Sequence, residues 1–353
     1  ELEGQTNSYI KVKSSLQALK DMALLYRNNL DIKVVGITGS VGKTSTKETI
    51  SYVLNKKYKV LKTEGNFNNE IGLPLTVFRL RDDDEVAVLE MGISDFGEMD
   101  RLSKIAQPDI SVITNIGLCH LENLKTRDGI LKAKTEIFNN MKPDGIAILN
   151  GDDDKLITVD EVNGKKPERF GINYKDGVYA KDIENLGLSG TKFVISGLNC
   201  VDGCKDFEVT VPVPGHHMIY NALAAACVGA ALELTSAQIA DGITDLKTIS
   251  GRNNIIKTSK YTLIDDCYNA NPVSMKASVD VLDMAIGRKV CILGNMYELG
   301  ENEKNLHYDV GQYIGTKNID VLITIGDLAR HIAMGTDDYM ETHFGSYDCE
   351  IHS

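Results

Sequence analysis

The sequence lacks the features that would place a protein in a membrane or on a secretory route. No stretch approaches the roughly 18 consecutive apolar residues that a membrane-spanning helix requires. The first residues, ELEGQTNSYIKVK, show no basic start followed by an apolar run, so they do not resemble a secretory signal. We therefore expect a cytoplasmic protein without membrane insertion.

An excess of positive charge is also missing. The formal net charge is −12, from 38 lysines and arginines against 50 aspartates and glutamates. A nucleic-acid backbone requires a basic face on its partner, so this balance argues against nucleic acid. The net charge does not exclude a small anionic substrate, because a few cationic side chains and backbone N–H groups can form a local anion site.

Regularly spaced cysteine pairs are absent as well. The seven cysteines are scattered and odd in number, and only Cys200 and Cys204 lie close together in the sequence. No second close pair would complete a zinc site, so we expect reduced thiols without a metal.

The chain contains the periodic patterns of a large α/β protein. Its 353 residues, 42% hydrophobic and 25% charged, suit two or three globular domains. Residues 8–29 show helical spacing, and a first group of strands separated by helical sequence is predicted at residues 33–38, 85–92, 109–117 and 145–153. This alternation predicts a mostly parallel sheet covered on both faces, as in P-loop ATPases.

The pattern changes in the second half of the chain. Residues 164–213 alternate polar and apolar positions and predict an antiparallel flap, followed by a helix at 221–234. Three further strands, at 262–268, 289–295 and 321–327, predict a partial Rossmann-like C-terminal domain, with the domain boundary near Arg252. We predict no final helix in residues 343–353.

A glycine-rich loop, GITGSVGKTS, joins the first predicted strand to a helix. Gly39 and Gly42 allow a tight turn whose N–H groups converge, Lys43 can reach the β- and γ-phosphates, and the Thr44 hydroxyl can bind Mg²⁺. Ile37 stands where the usual GxxxxGK[ST] pattern has its first glycine, and a glycine-rich turn with a chance GKT is the alternative. The predicted nucleotide-binding residues are Thr38, Gly39, Ser40, Val41, Gly42, Lys43, Thr44 and Ser45.

Two further side chains follow predicted strands. Glu90 ends the strand at residues 85–92, and His120 follows the strand at residues 109–117. Ligands bind outside the carboxyl ends of parallel strands, so both could lie beside the phosphates and bind a divalent cation. Taken alone, His120 would more often be a surface or packing histidine.

Eight segments together resemble the Mur ligase family of ATP-dependent amide-forming enzymes. They include TGSVGKTSTKE, GNFNNEIGLPLT, LEMGISDFGEM, TNIGLCHLENL, AKTEIF, GRN, DDCYNANPVSM and LGNMYELG, in the expected order. GNFNNEIGLPLT and YNANPVSM favour the member of the family that uses D-alanyl-D-alanine over earlier ligases of the peptidoglycan pathway and over folylpolyglutamate synthase.

The resemblance implies a reaction and its ligands. A UDP-N-acetylmuramoyl-tripeptide carboxylate would take the ATP γ-phosphoryl group, and the amine of D-alanyl-D-alanine would displace phosphate from the acyl phosphate. ATP and two Mg²⁺ ions are implied, with Lys43, Glu90, His120 and Lys134 as catalytic residues and Thr44, Glu90, His120 and Lys134 as metal ligands. Lys134 is implied to be carbamylated. Its alternative is a solvated helix lysine, and Lys132 is the neighbour with which it could be confused.

The resemblance also implies further binding residues. Asn221, Arg252 and Asp266 would contact the nucleotide, although Met218 stands where the family commonly has asparagine. Substrate contacts are implied for Asn66, Asn69, Asn269 and Asn271, for which turn chemistry is the alternative.

The domain scheme follows from the same resemblance. Residues 1–27 would be a linking helix from a largely missing UDP-binding domain, 28–252 the ATP-binding domain, and 253–353 an incomplete C-terminal domain. We expect a monomer acting on small molecules. Two rivals remain: another ligase of the superfamily, of folylpolyglutamate or cyanophycin type, and a nucleotide-binding relative without catalysis.

Overall fold

The computed structural model describes residues 10–344 and 349–353. The predicted first helix is shorter than its pattern, because Ser14 Oγ accepts a hydrogen bond from Gln17 N, 3.2 Å away, and so caps the helix at Ser15. Residues 8–9 of that prediction lie outside the described residues. None of the helices in the described ranges combines the length and the apolar character needed to cross a bilayer.

Helices and strands alternate along most of the chain. The α-helices are α1 Ser15–Asn28, α2 Lys43–Leu54, α3 Gly72–Val77, α4 Glu98–Ala106, α5 Leu121–Leu124, α6 Arg127–Thr135, α7 His217–Ala231, α8 Ser236–Thr244, α9 Pro272–Asp283, α10 Glu303–Gly315 and α11 Arg330–Phe344. The strands are β1 Lys33–Thr38, β2 Val60–Lys62, β3 Val86–Glu90, β4 Ile110–Ile113, β5 Ile146–Asn150, β6 Glu168–Gly171, β7 Val178–Asn185, β8 Thr191–Ser196, β9 Phe207–Val211, β10 Asn254–Lys257, β11 Thr262–Asp265, β12 Val290–Gly294, β13 Val321–Ile325 and β14 Glu350–His352. Short 3-10 helices cover Glu136–Asn140, Leu156–Thr158, Gly187–Ser189 and Gly300–Asn302.

A nine-stranded sheet forms the larger part of the fold. Its order is β2-β3-β1-β4-β5-β6-β7-β8-β9, and neighbouring strands are parallel from β2 to β7. Every residue of β3 is buried, because helices cover both faces of the sheet. One core contains α2, α7 and α8, and the other contains α1, α3, α4 and α6. The α/β prediction is confirmed.

The antiparallel strands continue this sheet at one edge. β8 pairs antiparallel with both β7 and β9, as the alternation in residues 164–213 predicts. β6 differs from that prediction, since it runs parallel to β5 and β7. The flap is therefore an extension of the parallel sheet.

The C-terminal part differs from the prediction in two strands. The strand predicted at residues 262–268 is β11, and it forms a separate antiparallel hairpin with β10. The C-terminal sheet has the order β12-β13-β14, with parallel pairs. β14 was not predicted, and part of the closing segment, residues 345–348, lies outside the described residues. The helix α11 ends at Phe344.

Candidate active site

The phosphate-binding loop connects β1 to α2 at the carboxyl end of the large sheet. Gly39 has φ +150°, and a Cβ atom there would lie 1.9 Å from Thr114 Oγ1. Gly42 has φ +82° and directly precedes α2. Both positions therefore require glycine, one because β4 passes so close and the other because of its left-handed backbone.

The beginning of this loop is held by the segment that follows β4. Ser40 N donates to Asn115 O at 3.0 Å, and Val41 N donates to Asn115 Oδ1 at 2.9 Å. Asn115 Nδ2 and Thr114 Oγ1 both donate to Val41 O, at 2.9 and 2.7 Å. The N–H groups left to face an anion belong to the first turn of α2, which has no preceding helical carbonyls to pair with.

Lys43 is the first residue of α2, and its side chain turns back over the loop. Its Nζ donates to Gly39 O at 2.9 Å and to Ser40 O at 3.4 Å. Desolvation lowers the pKa of Lys43, and the negative charge of Glu90 opposes that shift. The amino group therefore lies over the loop and is influenced by Glu90.

Glu90 ends β3 and is 2% exposed. Asn68 Nδ2 donates to Glu90 Oε1 at 2.8 Å, and the Glu90 backbone N–H donates to Thr63 Oγ1 at 3.0 Å. Glu90 Oε2 is buried and has no hydrogen-bond partner. A buried carboxylate oxygen without a donor is the atom expected of a cation ligand. The contact of Asn68, in the GNFNNEIGLPLT segment, with Glu90 was not predicted from the sequence.

Lys47 is a second buried lysine on α2, one helical turn after Lys43. Its Nζ donates to Thr63 O at 2.7 Å and lies 3.2 Å from Glu48 Oε1 and 3.9 Å from Glu90 Oε2. Lys47 therefore places a positive charge near the Glu90 carboxylate. The sequence offers one signal for it, the i, i+4 spacing from Lys43.

Lys134 lies on α6 and is 1% exposed, so the alternative of a solvated lysine is wrong. Burial and then the positive charge of Lys43 lower the pKa of Lys134 to about 7, while Cys119 acts in the opposite direction. The described part of the chain gives its Nζ no hydrogen bond or ion pair. A buried amine of this kind is largely neutral above neutral pH.

His120 directly precedes α5 and has φ +49°. Its Nδ1 lies 3.0 Å from Glu298 Oε2, in the loop after β12. Desolvation and then the positive charge of Lys134 lower the pKa of His120, and Glu298 raises it. The imidazole therefore lies near Lys134 and connects the segment before α5 to the loop after β12.

A cation bound by Glu90, His120 and Lys134 would have an unusual set of donor atoms. The described residues contain no cluster of three or more His, Cys, Asp and Glu side chains suited to a metal ion. Glu90 Oε2, which has no hydrogen-bond donor, fits such an ion, as does an imidazole nitrogen of His120, while Lys134 fits only as a neutral amine or a carbamate. The residues present therefore fit a cation if Lys134 carries no positive charge.

A cavity of about 590 Å³ opens on the other side of the loop. Val41, Gly42 and Ser45 line it on the loop side, and Arg252 and Asp266 line it on the side that leads to the C-terminal part. The cavity does not include Lys43, Glu90, His120 or Lys134 among its lining residues. Its size suits a nucleoside, and its position would place the phosphates at the start of α2.

Comparison with known proteins assigns the chain to a family. The profile described as Mur ligase middle domain matches residues 37–229, and the profile described as Mur ligase, glutamate ligase domain, matches residues 251–343. The chain belongs to the Mur ligase family. The UDP-N-acetylmuramoyl-tripeptide–D-alanyl-D-alanine ligase of Bacillus subtilis is 39% identical over 340 residues, which cover 96% of this chain and 72% of the relative. The Escherichia coli ligase of the same name is 34% identical over 94% of this chain and 73% of the relative.

Solved structures of Mur ligases have the same fold. MurF from Acinetobacter baumannii has a TM-score of 0.86 at 31% identity, covering 97% of this chain and 78% of that one. MurF ligase from Thermotoga maritima, solved in complex with ADP, has a TM-score of 0.82 at 30% identity, covering 99% of this chain and 82% of that one. The family resemblance and the fold class inferred from the sequence are confirmed.

The nucleotide-binding residues predicted beyond the loop lie around the Mur ligase cavity. Asn221 Oδ1 accepts a hydrogen bond from Thr46 Oγ1 at 2.9 Å, and its Nδ2 lies 3.2 Å from Met218 Sδ. The Arg252 guanidinium lies 4.4 Å from the centre of the Tyr268 ring. Met218, the departure from the family pattern, thus contacts Asn221 directly. The binding roles of these residues stay predictions.

The Asp266 carboxylate accepts two hydrogen bonds from neighbouring segments, whereas the Thr38 hydroxyl makes none with the described residues. Asp266 Oδ1 accepts from Asn253 N at 3.1 Å, and Asp266 Oδ2 accepts from Ser278 Oγ. Thr38 is buried at the end of β1, and its hydroxyl has no hydrogen-bond partner. Asp266 therefore joins the boundary segment to α9, whereas Thr38 Oγ1 remains available beside the loop.

The asparagines predicted to bind substrate lie in loops where most make local contacts. Asn69 Oδ1 accepts from Gly72 N at 2.8 Å, at the start of α3, and Asn269 Oδ1 accepts from Ala270 N at 2.9 Å. Asn271 caps α9 with a reciprocal pair of bonds to Ser274. Asn66 O accepts from Asn68 N at 2.7 Å, in the turn that presents Asn68 to Glu90. Turn chemistry accounts for these contacts, and substrate binding by the four asparagines stays a prediction.

Proposed function

We propose that this Mur ligase uses ATP to join D-alanyl-D-alanine to a UDP-N-acetylmuramoyl-tripeptide, in peptidoglycan precursor synthesis. The observation that carries the proposal is the grouping of Lys43, Glu90 and Lys134, in which a buried carboxylate oxygen and a buried amine both lack hydrogen-bond partners among the described residues. A protein that only binds nucleotide has no use for such groups. The named relatives, similar over most of this chain, supply the substrate class.

The nucleotide would bind with its base and ribose in the 590 Å³ cavity and its phosphates at the first turn of α2. The backbone N–H groups there and the Lys43 ammonium neutralise charge on the β- and γ-phosphates. Lys43 would leave the carbonyl oxygens of Gly39 and Ser40 to reach them. Thr44, in the same turn, would hold Mg²⁺ through its hydroxyl.

The reaction then needs a carboxylate aligned with the γ-phosphoryl group. The substrate carboxylate oxygen forms a bond to phosphorus while the bond to the ADP oxygen breaks, which gives an acyl phosphate. The amine of D-alanyl-D-alanine then attacks the carbonyl carbon. Collapse of that tetrahedral intermediate forms the amide, releases phosphate and frees one proton. The first step brings two anions together, so positive charge and positioning are the main demands on the protein.

Glu90, His120 and Lys134 would hold a second Mg²⁺, which supplies positive charge where the phosphoryl oxygens and the substrate carboxylate meet. Lys134 suits this role after carbamylation. Its pKa of about 7 leaves much of the amine neutral, and a neutral amine adds to CO₂ with loss of a proton. The carbamate is anionic and accepts a cation as a carboxylate does, whereas an ammonium group would repel it.

ATP and nucleotide-activated sugars are cytoplasmic metabolites, so we place the reaction in the cytoplasm. We expect the chain to act as a monomer on these small molecules. Another ligase of the superfamily, of folylpolyglutamate or cyanophycin type, is the remaining alternative among enzymes. The Mycobacterium tuberculosis folylpolyglutamate synthase has a TM-score of 0.71 at 15% identity, which concerns the fold alone.

Phosphate release by the purified protein tests the function. Release should require ATP, the UDP-sugar tripeptide and D-alanyl-D-alanine together, and should fall to background when any one is omitted. Glu90→Gln should lower the rate about 10²-fold or more while nucleotide still binds. Glu208→Gln, on the distant strand β9, serves as the matched control and should leave the rate unchanged. Release driven by other acid and amine pairs, or independent of the amine, would refute the assignment.

A further inference from the structure

Residues 117–120, here called the linking segment, are attached to the phosphate loop through one hydroxyl group. Ser40 Oγ donates to Gly117 O at 3.0 Å and accepts from Gly117 N at 2.9 Å and from Cys119 Sγ at 3.1 Å. One donated and two accepted bonds satisfy a serine hydroxyl completely. The linking segment and the phosphate loop are therefore held together as one unit.

The same segment also contacts the C-terminal part of the chain. Leu118 packs against the C-terminal core, which includes Met296 and Leu299. His120 Nδ1 lies 3.0 Å from Glu298 Oε2. The linking segment thus makes an apolar contact with the C-terminal core through Leu118 and a polar contact with the loop after β12 through His120.

Both residues of the polar contact have backbones that their side chains disfavour. His120 has φ +49° and Glu298 has φ +61°. Left-handed conformations of residues other than glycine cost about 1 kcal/mol or more each, and they concentrate at functional sites. The Glu298 side chain is 67% exposed, and exposed ion pairs contribute only about 0–1 kcal/mol. Stability therefore does not explain why two strained residues meet here.

The contact between His120 and Glu298 is explained by the orientation that it gives to the imidazole. The described residues give the His120 imidazole no hydrogen-bond partner other than Glu298, so this carboxylate alone sets the tautomer. His307 is different, because its Nε2 accepts from Met296 N at 2.9 Å and its Nδ1 contacts Glu303 O at 2.7 Å. Both ring nitrogens of His307 are occupied, whereas His120 keeps Nε2 free.

We propose that Glu298 is a positioning residue for His120: it accepts the Nδ1–H hydrogen bond and so leaves the Nε2 lone pair free to bind the cation. A carboxylate that holds the far nitrogen of a metal-binding histidine fixes both its tautomer and its ring orientation. The inference rests on the proposed function. It adds that the C-terminal domain takes part in forming the cation site, through the linking segment.

Three variants test the proposal. Glu298→Ala removes the acceptor, Glu298→Gln keeps an acceptor oxygen without the charge, and Glu301→Ala changes an exposed neighbouring acid and serves as the control. Both positions are exposed, so each variant should fold. The first measurement is ¹⁵N NMR of His120 in the metal-free protein, at a pH where the ring is neutral. Wild type, Glu298→Gln and Glu301→Ala should show Nδ1–H, and Glu298→Ala should shift toward Nε2–H.

The second measurement is the Mg²⁺ concentration that gives half-maximal phosphate release. Glu298→Ala should raise it about tenfold or more, Glu298→Gln by much less, and Glu301→Ala not at all. If Glu298→Ala keeps the Nδ1–H tautomer, or if Glu298→Gln is as impaired as Glu298→Ala, the positioning role is wrong. If wild type releases no phosphate with D-alanyl-D-alanine, the proposed function fails, and the NMR measurement still decides the role of Glu298.

Discussion

Lys47 Nζ lies 3.9 Å from Glu90 Oε2, and both side chains are only 2–3% exposed. Lys47 also neighbours Glu48, so one buried ammonium group serves two carboxylates. Its bond to Thr63 O fixes its position, because Thr63 Oγ1 in turn accepts from the Glu90 backbone. The network orients Glu90 while Glu90 Oε2 keeps no hydrogen-bond donor.

Replacing Lys47 by methionine should destabilise the protein by about 3 kcal/mol, because it removes the ammonium group 3.9 Å from the buried Glu90 carboxylate, whereas Glu48 keeps its ion pair with Lys62. The free energy of unfolding in urea, followed by circular dichroism, measures this. Lys56→Met is the matched control. Lys56 pairs with Asp245 at 2.5 Å on the surface, and removing that pair should cost less than about 1 kcal/mol. Equal losses in the two variants would contradict the assigned role of Lys47.

Gly39→Ala should weaken ADP binding and destabilise the protein by about 2–3 kcal/mol, because the new Cβ would lie 1.9 Å from Thr114 Oγ1. Calorimetric titration with ADP and urea unfolding measure the two effects. Gly164→Ala is the control. Gly164 has φ +78° with no atom within 4 Å of an added Cβ, so it should cost about 1 kcal/mol and leave ADP binding unchanged. Normal ADP affinity in Gly39→Ala would argue against the close approach of β4.

The sequence patterns were sufficient for four of the parallel strands and for the loop between β1 and α2. β1, β3, β4 and β5 are short apolar runs with helices between them, and such runs are recognisable without knowing their partners. The strand with which each strand pairs could not be predicted in the same way. β11 has the same kind of pattern, yet it pairs with β10 in a hairpin, because pairing depends on contacts that periodicity does not encode.

The candidate site shows the same limit. Glu90 and His120 were predicted from their positions at or after the ends of two strands, and the family resemblance added Lys134; the three residues come from different elements, and their roles stay predictions. Asn68 was missed as the partner of Glu90, and Glu298 was missed as the partner of His120. Glu298 lies 178 positions after His120 in the sequence. A single sequence carries no signal for side-chain contacts across such a distance.

Asn271 allows a capping role to be separated from substrate binding. Its Oδ1 accepts from Ser274 N at 2.9 Å, and Ser274 Oγ accepts from Asn271 N at 3.0 Å, at the start of α9. Asn271→Ala should destabilise the protein by about 1 kcal/mol, and Asn271→Ser should restore most of that stability. Steady-state kinetics should give Asn271→Ser a KM for D-alanyl-D-alanine near that of wild type. A stable Asn271→Ser variant with a strongly raised KM would instead assign the residue to the substrate.

The buried amine of Lys134 should make stability depend on pH. Its pKa falls from 10.5 to about 7 in the folded protein. Between these values the unfolded chain binds more protons than the folded one, so the free energy of unfolding rises with pH across this window. Below about pH 7 both states are protonated, and the cost of burying the ammonium is present in full, on the order of 4–5 kcal/mol.

Lys134→Met should therefore stabilise the protein in CO₂-free, metal-free buffer, by more at pH 6 than at pH 9. Lys132→Met is the control, because Lys132 lies on the exposed side of the same helix and should show no such trend. Urea unfolding across the pH range measures both. A stability difference that is constant with pH would mean that the amine keeps its proton in the fold.

The same amine should be essential for ligation even though it destabilises the fold. Lys134→Ala should lose phosphate release, and short carboxylic acids should restore part of it, because a small carboxylate can replace the carbamate beside Glu90. In wild type, activity recovered by adding CO₂ to depleted enzyme should be greater at pH 8 than at pH 6, since only the neutral amine reacts and its pKa is about 7. Full activity of Lys134→Ala without added acid would exclude the carbamate, and would leave Glu90 and His120 as the only protein ligands proposed for the second cation.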